Sequence, residues 1–147
     1  MHEQSGTVAS LGWEQNGAGR EPEMTFARRV LWVAGIYGLV VIAPIFFLES
    51  RIGRDYPPAI TPPEYFYAFL CVTLAWQVLY LFMAQDPVRH RPLLIPSVLE
   101  KVGFPIAALV LLAQQRVPLL TVSFSMVDLV FAVLFIVSYR KLATAQA

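Results

Sequence analysis

Charge is scarce in this chain. Asp, Glu, Lys and Arg make up 14% of its 147 residues, while 57% are hydrophobic. A water-soluble domain usually carries about 25% charged residues. The net charge is only +1, with no basic stripe and no RNA-binding motif, so nucleic acid is not an expected partner. Cysteine occurs once, at Cys71, which excludes an internal disulfide and any multi-cysteine metal site. In its apolar surroundings Cys71 reads as a small core hydrophobe. Histidine occurs twice, as His2 near the start and His90 in a turn, which argues against a bis-histidine haem. His-Glu-x-x-His, Gly-x-Ser-x-Gly and P-loop patterns are all missing. No internal repeat is visible, and no cofactor or metal is indicated.

What is present is long apolar runs. Mean hydropathy is +0.60. Four segments approach the ~20 residues needed to span a bilayer core, at about 30–48, 65–84, 93–113 and 118–138. They predict an all-α, four-helix transmembrane bundle formed by residues 27–141. The third segment has the lowest hydropathy margin, because Glu100 and Lys101 lie inside it. Residues 1–26 are polar and lack an apolar stretch, so they read as a disordered tail and not as a signal peptide. Residues 142–147 form a second short tail.

Basic residues set the expected orientation. Arg28, Arg29, Arg89, Arg91, Arg140 and Lys141 fall on one side, and Arg51, Arg54 and Arg116 on the other. Six against three puts both termini and the 85–92 turn in the cytoplasm of a multi-pass inner-membrane protein. Pro57-Pro58 and Pro62-Pro63 predict stiff extended backbone in the outer connection. Pro87 and Pro92 predict a tight inner link between antiparallel neighbours.

Ionisable groups at membrane depth are costly, and so they mark either a partner or a function. At 1.5 Å per residue, Tyr37, Gln77 and Glu100 lie ~10 Å from the cytoplasmic helix ends, Lys101 ~12 Å and Asp128 ~15 Å. On the fourth helix Thr121, Ser125, Asp128, Ala132 and Phe135 share a stripe. On the third, Ser97, Glu100, Gly103, Phe104 and Ala107 do, and on the second, Thr73, Gln77 and Tyr80. Such small and polar faces are expected to point inward. Gly35 and Gly38 are expected to let the first helix approach a neighbour.

Adjacent Glu100 and Lys101 point about 100° apart, so each is expected to find its own partner. Lys101 has two routes, snorkelling toward water or pairing with Asp128. Asp128 has three: that pair, protonation with a hydrogen bond to Ser125 or Thr121, or a wet cavity. Pro105 removes a donor to the carbonyl of Lys101, and Pro44 removes one to Val40. Arg89, His90 and Arg91 are candidates for lipid headgroup contact.

The aromatic run Glu64-Tyr65-Phe66-Tyr67, the Trp76-Gln77 pair, the Asp86-Pro87 turn with Arg89 and Arg91, and Leu99-Glu100-Lys101 lie within residues 62–101. This stretch resembles an uncharacterised family of small bacterial four-helix membrane proteins. DoxX-like proteins are similar in size and helix count only. The emopamil-binding sterol isomerase group is a distant analogy in its use of acidic residues at membrane depth. These resemblances imply the fold and carry no activity.

The leading expectation is a non-enzymatic membrane protein that binds a small amphiphile or lipid, or serves as accessory subunit of a larger membrane complex. Its pocket residues would be Tyr37, Trp76, Gln77, Glu100, Lys101 and Asp128. The alternatives are a membrane enzyme with isomerase-like acid–base chemistry on an apolar substrate, and a proton or ion pathway.

Overall fold

The computed structural model describes the backbone of residues 5–57 and 59–144, with side chains from residue 21 onward. The fold is all-α, and no strand occurs among the described residues. Helix α1 (Ser5–Ile42) passes into a 3-10 segment, Ala43–Phe47, and is followed by the short α2 (Glu49–Asp55). Then come α3 (Pro63–Met83), a 3-10 turn at Arg91–Leu93, α4 (Leu94–Ala113) and α5 (Leu119–Thr144). Four stretches are long and apolar enough to cross a membrane: Glu21–Phe47, Pro63–Met83, Arg91–Ala113 and Leu119–Thr144. At most 28% of each apolar window is buried. An outward apolar surface of that extent suits lipid and not water. The chain thus has the make-up of a multi-pass membrane protein.

Helix boundaries follow local chemistry. The α-helical part of the first span stops at Ile42, two residues before Pro44, because proline disfavours helical backbone in the residue preceding it. Pro63 occupies the first turn of α3, where a missing N–H costs nothing, and Glu64 faces the positive dipole end. Helix α4 closes with Gln115 in the left-handed region, φ 58°. The N–H of Gln115 donates to the carbonyl of Leu112 (2.8 Å) and that of Arg116 to the carbonyl of Leu111 (2.9 Å). This is the Schellman pattern, built here on a residue other than glycine.

Three expected boundaries move. Residues 5–26, assigned to the polar tail, belong to α1. Met24, Arg28 and Arg29 are good helix formers, and Glu23 is tied down by a 2.8 Å hydrogen bond from Thr144 Oγ1. Helix α5 continues past Ser138 to Thr144. The outer connection, expected to be extended, begins with α2, whose Arg51 and Asp55 pair one turn apart at 3.5 Å. Residues 1–4, Pro58 and residues 145–147 lie outside the described residues.

Two compact units divide the chain, residues 1–30 with 86–147, and residues 31–85. In the first, α4 and α5 form an antiparallel hairpin. The buried face of α4 is Leu94, Ser97, Lys101, Pro105 and Ala108, and that of α5 includes Val122, Ser125, Ala132, Phe135, Ser138 and Leu142. The stripe expected for α5 is therefore the inward one. On α4 the expected face is wrong. Gly103, Phe104 and Ala107 are exposed, and the inward stripe runs through Lys101 with Glu100 at its edge. A lysine stem of four methylenes packs as an apolar group once its ammonium has a partner. The serines enter the seam cheaply because each hydroxyl donates to a carbonyl of its own helix: Ser97 to Leu93, Ser125 to Val122 and Ser138 to Leu134.

In the second unit, α1 meets α3 through Gly35 and Gly38, as expected. A Cβ on Gly35 would lie 2.9 Å from the carbonyl oxygen of Gln77, and one on Gly38 would collide with the Gln77 carboxamide. Only a glycine face allows backbones this close. At the other end of α3, Tyr67 donates a 2.6 Å hydrogen bond to Glu49 Oε2, and the Phe46 and Phe66 rings flank it at 5.9 and 5.4 Å.

Candidate functional site

Helices α4 and α5 bring Lys101, Glu100 and Asp128 together. Lys101 Nζ lies 3.0 Å from Asp128 Oδ1 and 3.3 Å from Glu100 Oε2. The lysine therefore pairs with Asp128 instead of snorkelling. Glu100 and Lys101 were expected to miss each other as sequence neighbours. The long lysyl chain bends across the gap and meets both carboxylates. Ser125, one expected partner of Asp128, gives its hydroxyl proton to the carbonyl of Val122.

Exposure is unequal within the cluster. The Lys101 side chain is 8% exposed, while Glu100 and Asp128 remain 21% and 28% exposed. The positive charge is thus sealed in the seam, and the Glu100 and Asp128 side chains are partly exposed at its edge. The cluster sets two carboxyl groups around one amine, so acceptor groups outnumber the cation in it. Such an arrangement favours a group that donates hydrogen bonds or carries positive charge. Among the described residues, no group of three or more His, Cys, Asp or Glu is placed to hold a metal ion.

Tyr37, Trp76 and Gln77 belong to the other compact unit. Tyr37 is 41% exposed on α1. Trp76 is half-buried and tilts against Tyr80, with ring centroids 6.1 Å apart. Gln77 is fully buried, donates through Nε2 to the carbonyl of Thr73 at 3.0 Å, and leaves Oε1 without a conventional donor over the Gly38 backbone.

The basic turn, the expected headgroup set, is held by contacts of its own. Arg91 Nε donates to the Tyr139 carbonyl at 3.0 Å, and its guanidinium stacks 4.1 Å from the Tyr139 ring centroid. It ties the end of α5 to the start of α4. The Arg89 N–H donates to Asp86 Oδ1, and His90 Nδ1 lies 2.9 Å from the Asp86 carbonyl. Sequence reasoning passed over Tyr139 as the partner of Arg91. The available signal was a basic-aromatic-basic set flanking both ends of one hairpin.

No protein-family model matches the chain, and neither a curated protein nor a solved structure is similar enough to place it in a family.

Proposed function

We propose that this is a membrane protein that binds a small amphiphile through the Glu100–Lys101–Asp128 cluster. The observation that supports this most is the exposure pattern, a sealed Lys101 amine flanked by two partly exposed acidic side chains. Partly exposed acidic side chains next to lipid-facing residues such as Leu99 and Phe104 suit a molecule with a donor head and an apolar body. The head would be an amine or a hydroxyl, held by Glu100 and Asp128, with Lys101 keeping both side chains in place. The biological setting in this reading is a bacterial inner membrane, with both termini cytoplasmic by the positive-inside rule.

Extraction of the purified protein and mass spectrometry of the released small molecules tests the reading. One amphiphile enriched over the bulk membrane extract, and depleted in Asp128→Asn, is the expected result. An extract identical in composition to bulk lipid would contradict it.

A further inference from the structure

The α4–α5 seam opens at the end where α4 begins and α5 finishes. A crevice of about 200 Å³ lies there, lined by Leu94, Ile95, Val98, Ile136, Tyr139 and Arg140. Val98 and Leu94 are three and seven residues before Lys101, so the crevice starts about 4–10 Å along the helix from the ion cluster and is separate from it. Five of its six lining residues present apolar surface. Arg140 is its one charged wall, and it is exposed. The Tyr139 wall is held in place by Arg91, through the stacking and the hydrogen bond to its carbonyl.

We propose that this crevice seats one acyl chain of an anionic phospholipid, with the lipid phosphate on the Arg140 guanidinium. The two-part lining matches a two-part molecule. The crevice offers no polar partner along its apolar length, so a peptide segment would leave its backbone groups unsatisfied there. Its polar end sits where α5 leaves the apolar part of its span, at headgroup level. Positive charge dominates that end: Arg89, Arg91, Arg140 and Lys141 stand against Asp86 within residues 85–93 and 138–144. Guanidinium and phosphate match geometrically as well as in charge. A free phosphate would meet the same arginine but gain nothing from Leu94, Ile95, Val98 or Ile136. The proposal is independent of what the Lys101 cluster binds.

Native mass spectrometry of the delipidated protein, titrated with dioleoyl phosphatidylglycerol or dioleoyl phosphatidylcholine, tests it. One phosphatidylglycerol should bind in preference to phosphatidylcholine. Arg140→Gln should weaken phosphatidylglycerol about fivefold, the worth of one basic residue at an anionic surface, and leave phosphatidylcholine unchanged. Arg140→Lys should keep most of the preference. Val98→Phe, with the arginine intact, should weaken both lipids by filling the chain crevice, and helix content and melting temperature confirm that this variant is folded. Equal retention of the two lipids by wild type, an unchanged preference in Arg140→Gln, or displacement of the lipid by millimolar inorganic phosphate would each overturn the proposal.

Discussion

Lys101 shows how far a single residue can be read in advance. Its candidate partner Asp128 was legible from spacing alone. Its reach to Glu100 was not, because a helical wheel places Cβ atoms and ignores the length of a lysyl chain. The geometry sets an asymmetric expectation for mutants. Lys101→Met strands two partly exposed carboxylates and should cost about 1–3 kcal/mol, the range for leaving a polar partner unsatisfied. Asp128→Asn should cost less, since the ammonium keeps Glu100 at 3.3 Å. The double variant should recover part of the Lys101→Met loss, and melting in nanodiscs with a double-mutant cycle measures the coupling. Gly38 offers a second residue-level test. A methyl there meets the Gln77 carboxamide, which is buried and has little room to move. Gly38→Ala should destabilise by about 1–3 kcal/mol, as overpacking does. In a Gln77→Ala background the added cost of the methyl should shrink.

At the scale of elements, the apolar runs marked all four spanning helices, including the third despite its two charges. The ends were less legible, because they depend on tertiary contacts. Helix α1 extends back to Ser5, and within it Glu23 meets Thr144 from the far end of the chain. The inward face of α4 was misjudged for a related reason. Small and polar residues marked a face through Glu100 and Gly103, but the opposite charge of Asp128 turned Lys101 inward. The turn after α4 carries a clean prediction. Gln115 holds a left-handed conformation that costs an L-residue roughly 1–2 kcal/mol and glycine almost nothing. Allowing for the extra freedom that glycine gains in the unfolded chain, Gln115→Gly should stabilise the protein by about 0.5–1 kcal/mol. A rise in melting temperature checks this, and a fall would mean that the Gln115 side chain does more than cap.

For the whole molecule, composition and hydropathy were enough to identify an all-α chain with four membrane-length helices. The crevice between α4 and α5 was invisible in the sequence, since it depends on how two side-chain rows fail to interlock. The proposed orientation follows from six flanking basic residues against three. Single cysteines introduced in a Cys71→Ala background at residues 88 and 117 should be labelled from the cytoplasmic and the opposite side respectively, and the reverse pattern would invert the topology.

The central claim is that the carboxylates beside Lys101 serve a ligand as well as the fold. Glu100 separates the two roles, because Lys101 retains Asp128 at 3.0 Å without it. The measurement is native mass spectrometry of wild type and Glu100→Gln released from the same membranes, with melting temperatures taken in parallel. The expected result is a bound amphiphile on wild type that is lost from Glu100→Gln, while stability shifts by less than about 1 kcal/mol, as for a partly exposed ion pair. An unchanged adduct, or a Glu100→Gln protein that is strongly destabilised and carried no ligand in its wild-type form, would make the cluster a structural clamp and contradict the claim.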